Sequence, residues 1–310
     1  MTTTRSLSQR SRRPGRGALR LAALALVVAA GAACTTVDEP PQPVRDLRGV
    51  DPRDTRREPA PSSQRADPGM GAGAVSVPGG GTPAESETRR RAQIRLELAT
   101  GFYQQGNYSQ ALEELRSSLS IDPSNAQAYG LLGLVYMDLR DRERAEENFQ
   151  RALRLAPEDS ELLNNYGWYL CQTDRPREAI AQFQAALKNP LYATPARPLH
   201  NAGICLLRAG DAAGAEAYFQ RSFQIDPRNP VAMFHLGEIH LKRGDIERAR
   251  FMSQRLLQSY PPSAETLWLA IRVDRKAGDR DSVASLASQL RRQFPSSREA
   301  NLLQRGAFGD

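Results

Sequence analysis

Residues 126–159 have the sequence AQAYGLLGLVYMDLRDRERAEENFQRALRLAPED, which contains the pattern that decides the fold. It predicts two helices joined by a turn, because Gly133 lets the first helix approach the second closely and Ala145 allows the same approach from the other side. Pro157 stops the second helix and directs the chain onward, since proline cannot continue a helix. The stretch is therefore one helix-turn-helix unit of 34 residues.

Copies of this unit follow one another at a period of 34 residues on both sides of the quoted stretch. The stopping proline recurs at Pro123, Pro157, Pro227, Pro261 and Pro295, with two extra residues inserted near 189–195. The small residue of the first helix recurs as Ala99, Gly133, Gly167, Gly203 and Gly237, and that of the second helix as Ala111, Ala145, Ala179, Ala215 and Ala249. A large apolar residue follows at Leu115, Phe149, Phe183 and Phe219. The last copy has Ile271 and Val283 at the two small positions, as expected of a terminal cap.

This spacing is that of the tetratricopeptide repeat, so the sequence predicts an all-α fold. Six repeats are predicted, at residues 92–125, 126–159, 160–195, 196–229, 230–263 and 264–297, followed by a C-terminal tail at 298–310. We call the first helix of each repeat its A helix and the second its B helix. Glycines at Gly106, Gly210, Gly244 and Gly278 are predicted to end A helices in the left-handed conformation. Stacked repeats of this kind form a right-handed superhelix whose inner wall consists mainly of A helices.

The first 33 residues are predicted to be a signal peptide. An uncharged run from Leu21 to Ala33 follows an arginine-rich start, and as a helix it would reach about 20 Å, which is short of the roughly 30 Å hydrocarbon layer of a membrane. The small residues directly before Cys34 resemble a bacterial lipobox, which implies cleavage there and lipidation of Cys34. With Thr35 next, the resemblance implies attachment to the outer membrane on its periplasmic face. An ordinary secretory signal is the alternative.

Residues 34–91 are predicted to form a disordered tether between the lipid and the repeats. They are rich in Pro, Gly, Ser, Asp and Arg and contain few large apolar residues, so they cannot bury enough surface to offset the entropy of ordering. The net charge of +7 does not predict nucleic-acid binding, because six arginines precede Cys34, where no acidic residue occurs.

No catalytic or cofactor site is predicted. The chain has three histidines, His200, His235 and His240, and none has the paired spacing of a metal-binding helix. No phosphate-binding loop or nucleophile elbow is present either. We therefore predict a protein without enzymatic activity, cofactor, metal or small-molecule substrate, which acts by binding another protein.

The predicted partner site is the inner wall. Positions 2, 5, 9 and 12 of the A helices face the groove in proteins with this repeat, and they place there a mainly apolar set: Tyr103, Leu134, Met137, Trp168, Ile204, Leu207, Phe234, Leu241 and Trp268. Such a wall predicts a hydrophobic strand or helix of another protein as its ligand. The alternative for each residue is a place in the core between adjacent A helices.

Cys171 and Cys205 remain after Cys34 is assigned to lipid. They lie 34 residues apart, near the ends of the A helices of repeats three and four. In an oxidising periplasm they are candidates for a disulfide bracing the joint that carries the insertion, and two buried thiols are the alternative.

Four stretches outside the repeat consensus resemble one family. They are NNYGWYLC at 164–171, NPLYATPAR at 189–197, NAGIC at 201–205 and AETLWLAIR at 264–272. They resemble the PilF or PilW family of type IV pilus biogenesis and stability proteins. The resemblance implies a pilotin-like lipoprotein that helps the pilus secretin reach or assemble in the outer membrane, or stabilises the pilus that drives twitching motility. A general periplasmic adaptor for peptidoglycan enzymes or outer-membrane assembly machinery is the alternative function.

Overall fold

A computed structural model describes residues 83–308 of the chain, with side chains from residue 86 onward. The predicted signal peptide at 1–33, the predicted lipidation site Cys34 and the predicted tether as far as residue 82 lie outside the described residues.

Every regular element between residues 83 and 308 is a helix. The thirteen helices are α1 (Pro83–Gln104), α2 (Tyr108–Ile121), α3 (Ala126–Asp138), α4 (Arg142–Leu155), α5 (Ser160–Gln172), α6 (Pro176–Ala186), α7 (Ala196–Arg208), α8 (Ala212–Ile225), α9 (Pro230–Arg243), α10 (Ile246–Ser259), α11 (Ala264–Ala277), α12 (Arg280–Gln293) and α13 (Arg298–Gln304). The first twelve form six antiparallel pairs, one in each predicted repeat. The all-α repeat fold is confirmed.

Local signals start and stop these helices. Nearly all the turns and loops begin the next helix with an Asn, Asp or Ser whose side chain accepts a backbone N–H, as Asp211 does from Gly214 at 2.8 Å. Gly106, Gly210, Gly244 and Gly278 adopt positive φ between paired helices, as predicted. The other two such turns within residues 83–308 use non-glycine residues in the same conformation, Arg140 with φ 62° and Asp174 with φ 61°.

Each pair of helices meets at the small residues that the sequence marks. In repeat four, a Cβ on Gly203 would lie 2.7 Å from the ring of Phe219, which is closer than Cβ atoms in proteins approach other atoms. The same glycine–phenylalanine contact occurs in repeats two and three, and all three phenylalanines are almost completely buried. Successive A helices also contact one another, as α5 does α7. The core therefore continues from one repeat into the next.

Two predicted boundaries differ from the structure. The A helix of repeat one begins at Pro83 instead of residue 92, so the predicted tether ends too late. Residues 86–91 are exposed and contain no apolar periodicity, which is why the pattern missed this extension. The predicted tail at 298–310 contains α13, whose Ala300 and Leu303 pack into the core of the last repeat. Ser297 caps this short helix by accepting the N–H of Ala300 at 3.1 Å.

Candidate functional site

The nine predicted wall residues divide into two classes in the structure. Five are partly exposed and belong to the A helices of repeats two to five: Met137, Trp168, Ile204, Leu207 and Phe234. Met137 and Trp168 pack on the same hydrophobic cluster, and the other three share the next cluster along the chain. These five side chains offer apolar surface on consecutive repeats.

The other four predicted wall residues are core residues in this structure. Tyr103, Leu134, Leu241 and Trp268 are exposed by 8% or less, so a ligand in the groove could touch very little of them. Tyr103 and Leu134 lie inside the largest cluster, where neighbouring helices cover them. Trp268 is covered by Phe308, whose ring is stacked on it with 5.4 Å between centroids. For these four the core alternative accounts for the observed burial.

Opposite charges join equivalent positions of successive A helices. Glu161 of α5 forms an ion pair with Arg197 of α7, and Glu238 of α9 forms one with Arg272 of α11, with an N···O distance of 2.7 Å. These carboxylates and guanidinium groups are bound to each other and join successive A helices. The sequence contained a signal for these pairs, because opposite charges recur at the repeat spacing, but the prediction of the wall considered only apolar residues.

The insertion between repeats three and four is held by Glu161 as well. Tyr192 donates a hydrogen bond from its hydroxyl to Glu161 Oε2 at 2.8 Å, and burial followed by the nearby Glu161 charge raises the pKa of Tyr192. Asn189 accepts the N–H of Leu191 at 2.9 Å and so closes a tight turn. The Leu191 side chain is 88% exposed at this turn. The insertion is thus a fixed loop that displays one large apolar residue.

Buried amides and sulfur atoms connect the same two repeats. Asn201 of α7 donates from Nδ2 to Oδ1 of Asn164 in α5 at 3.0 Å, and both side chains are almost fully buried. Cys171 and Cys205 form a disulfide between these helices, with 5.6 Å between their Cα atoms. That separation is typical of a disulfide. Both contacts tie the A helices of repeats three and four at the joint that carries the insertion.

Glu146 of α4 organises the joint between repeats two and three. It accepts hydrogen bonds from Tyr166 at 3.2 Å and Tyr169 at 3.3 Å, and its Oε1 lies 2.6 Å from Nη1 of Arg175. Burial alone would raise the pKa of Glu146, but Arg175 holds it below its usual value. Burial and then the Glu146 charge raise the pKa of Tyr169 to about 12. At neutral pH Glu146 is therefore ionised, and the hydroxyl groups of Tyr166 and Tyr169 are protonated.

The sequence matches tetratricopeptide-repeat families over residues 101–139, 131–198, 174–230 and 206–270. It is 31% identical to the type IV pilus assembly protein PilF of Pseudomonas aeruginosa over 147 residues, which is 47% of this chain and 58% of that protein. The aligned region thus spans less than two thirds of this curated relative.

Two solved structures match over nearly their whole length. The crystal structure of PilW, described as a widely conserved type IV pilus biogenesis factor, is 30% identical with a TM-score of 0.63, and 69% of this chain covers 98% of it. The structure of Pseudomonas aeruginosa PilF is 30% identical with a TM-score of 0.65, and 72% of this chain covers 99% of it. The chain belongs to the PilF and PilW family.

The family assignment gives the quoted sequence stretches a structural meaning. In this PilF and PilW family member, NNYGWYLC supplies Asn164, the two tyrosines on Glu146, the partly exposed Trp168 and Cys171. NPLYATPAR supplies Tyr192 and Arg197, which both contact Glu161. The residues outside the repeat consensus therefore lie mainly at the joints on either side of repeat three.

Tetratricopeptide-repeat scaffolds of this family are protein-interaction modules. Among the residues that the structure describes, no group of three or more His, Cys, Asp or Glu side chains is placed to hold a metal ion. None of the helices between residues 83 and 308 has the length and apolar character needed to cross a bilayer.

Proposed function

We propose that this chain is a non-enzymatic, protein-binding scaffold in type IV pilus biogenesis, and that it acts as a pilotin-like lipoprotein. Its groove would bind the pilus secretin or another pilus assembly protein, and so aid secretin assembly in the outer membrane and pilus stability. Family membership supports the pilus role. The observation that carries the binding site is the row of partly exposed apolar residues on A helices, above all Trp168 and Phe234.

The proposed groove binds by burying apolar surface, because the charged groups beside it are bound to each other. Aromatic residues are enriched among those that dominate binding energy, and Trp168 and Phe234 are both partly exposed. They belong to repeats three and five, so a ligand that touches both must extend across repeat four. An extended strand or a helix fits this requirement better than a single side chain does.

The binding test compares groove variants with a matched surface variant. Trp168→Ser and Phe234→Ser are expected to lower capture of the host secretin at least tenfold, since each removes a large contact. Phe251→Ser is the control, because Phe251 is a 52% exposed aromatic residue on the B helix α10. Circular dichroism checks that all three variants remain helical. Equal secretin capture by all three folded variants would refute the groove as the binding site.

The cellular test deletes the gene in its host and measures secretin multimers in outer-membrane fractions, surface pili and twitching motility. Loss of multimers is the result expected of a pilotin. Persisting multimers with lost pili would assign the protein to pilus stability alone. Normal multimers, pili and motility would overturn the pilus proposal and favour the general envelope adaptor.

Lipidation of Cys34 is part of the same proposal and is tested separately. A Cys34→Ala variant, expressed in the host, is expected to leave the outer-membrane fraction and to lose the mass of the attached acyl chains. If the variant fractionates like the wild type and Cys34 of the wild-type protein carries no acyl chains, the proposed lipid anchor is wrong. The proposed groove would not be affected by that result.

A further inference from the structure

The C-terminal residues after α13 turn back onto the repeats. Gly306 adopts φ 65°, a left-handed conformation that ends α13, and it donates its N–H to Leu303 O at 3.2 Å. The next residue, Ala307, donates to Leu302 O at 3.0 Å. These bonds reverse the chain and direct Phe308 towards α11, the A helix of repeat six.

The Phe308 ring contacts two side chains of that helix. Its ring lies nearly parallel to the indole of Trp268, with 5.4 Å between centroids and 16° between planes. On the same phenylalanine ring, the guanidinium carbon of Arg275 lies 3.9 Å from the centroid. Offset stacking and a cation over an aromatic face are both attractive contacts with preferred geometries. Both contacts require an aromatic ring and would not form with an aliphatic side chain of similar size.

This contact involves two wall positions of the last repeat. Trp268 and Arg275 are separated by seven residues, or two helical turns, and so lie on one face of α11. They take positions 5 and 12 of repeat six, which are positions that face the groove in proteins with this repeat. The equivalent positions of repeat five hold Phe234 and Leu241, and within the described residues the ring contact of Phe234 is an edge-to-face one with its neighbour His235, at 79° between planes.

We infer that Trp268 and Arg275 form a subsite for an aromatic side chain at the last repeat of the groove, which Phe308 occupies until an aromatic residue of a bound segment replaces it. The ligand class is a peptide segment carrying Phe, Tyr or Trp. The contact with Phe308 involves one side chain after the last helix, so it can open while Ala300 and Leu303 of α13 stay packed. The inference rests on the proposed function only in placing the replacing residue on the groove's partner.

The subsite is tested in the full-length chain by the indole N–H signal of Trp268 in NMR spectra. The chain has two tryptophans, and a Trp268→Phe variant assigns the signal. The probe is the blocked peptide Gly-Ala-Phe-Gly-Asp, and the control peptide has alanine in place of phenylalanine. In a Phe308→Ala variant, the phenylalanine peptide is expected to shift the Trp268 signal saturably, with half-saturation on the order of 1 mM for so small a ligand.

The wild-type chain supplies the matched comparison. Tethered Phe308 competes at a high effective concentration, so the same peptide should leave the wild-type signal unshifted. Arg275→Gln in the Phe308→Ala background should weaken peptide binding about two- to fivefold, because it removes the cation over the ring. Phe308→Leu keeps apolar bulk without an aromatic face, and it should admit the peptide even if Phe308→Ala folds poorly.

Three outcomes would overturn the subsite: no shift in either Phe308 variant, an equal shift with the alanine peptide, or an equal shift in the wild-type chain. The titration contains no pilus protein. Its failure would therefore leave the proposed groove of repeats two to five intact, whereas failed secretin capture would leave the subsite intact.

Discussion

Repeats four and six share one helix-turn-helix plan, yet they fill the space between their two helices in opposite ways. In repeat four the A helix contributes Gly203 and the B helix contributes Phe219, which packs directly over the glycine. In repeat six the A helix contributes the large residue, the fully buried Ile271, and the B helix contributes the small one, Ala287. These are the same two repeat positions with their sizes exchanged.

Repeat five shows a third arrangement of the same positions. Both residues are small, Gly237 and Ser253, and a Cβ on Gly237 would lie 2.9 Å from Leu269 of the following repeat. A neighbour thus supplies the missing volume. The repeat therefore requires a filled interface between its helices and does not require a particular residue on either side.

The largest expected effect comes from removing the large residue of repeat four. Phe219→Ala should lower the free energy of unfolding by about 3–5 kcal/mol, because it leaves a cavity where the ring was fully buried. Chemical denaturation followed by circular dichroism measures the loss. Phe251→Ala removes a half-exposed ring from the next B helix and should cost no more than roughly 0.5 kcal/mol.

A double variant tests whether repeat four can adopt the packing of repeat six. Gly203→Ile together with Phe219→Ala copies the sizes found at Ile271 and Ala287 in repeat six, and it should recover part of the stability lost by Phe219→Ala alone. A double variant less stable than Phe219→Ala would show that repeat four cannot adopt the packing of repeat six.

The next effect concerns the disulfide, which braces repeats three and four and has no counterpart in repeat six. Reduction of the bond between Cys171 and Cys205 should lower the free energy of unfolding by about 4 kcal/mol, since the bond closes a loop of 34 residues in the unfolded chain. Denaturation with and without reductant measures this difference. Labelling of two free thiols in the oxidised protein, with unfolding insensitive to reductant, would rule the bond out.

A smaller effect separates two glycines in A helices. Gly203→Ala should cost about 1–3 kcal/mol, because the new methyl group would overlap the Phe219 ring. Gly101→Ala should instead stabilise the chain by about 0.5–1 kcal/mol, since open space surrounds Gly101 and alanine favours helix. Thermal unfolding of the two variants gives the comparison, and shifts of the same sign would contradict it.

The smallest expected effect is a pH dependence confined to repeats four and five. His200 and Trp268 occupy the same position in repeats four and six, and His200 is buried. Asn229 uses Oδ1 to accept the N–H of Ala232, so its Nδ2 donates to His200 Nδ1 at 2.9 Å and requires an unprotonated nitrogen there. Burial, with a smaller contribution from Arg197, lowers the pKa of His200 to about 3.

The sign of the pH effect follows from this lowered pKa. As pH falls through the ordinary value of 6.5, the unfolded chain binds a proton that the folded chain excludes, so stability is lost on acidification and regained as pH rises. Between about pH 7 and about pH 5.5 the loss should be roughly 1 kcal/mol for His200. Hydrogen exchange resolves it by repeat, with repeat six unaffected. His200→Gln should remove this contribution, and an unchanged pH slope in that variant would contradict the assignment.

The order and pairing of twelve helices follow from the amino-acid sequence alone. Those signals are local: the capping residues, the turn glycines, the stopping prolines and the small and large residues that meet within one repeat. Each of these signals lies within a single repeat of 34 residues. The same local reasoning missed the extension of α1 from Pro83 and the short α13, because neither belongs to a repeat.

Which of the predicted wall residues are exposed depends on contacts between distant parts of the chain. Trp168 and Trp268 have the same chemistry on A helices, but Phe308, forty positions away from Trp268 in the chain, covers one of them and leaves the other partly exposed. Burial depends on every atom that surrounds a side chain, and those atoms come from neighbouring repeats and from the C-terminal residues. A repeat pattern states which face of a helix a residue lies on, and it does not state what covers that face.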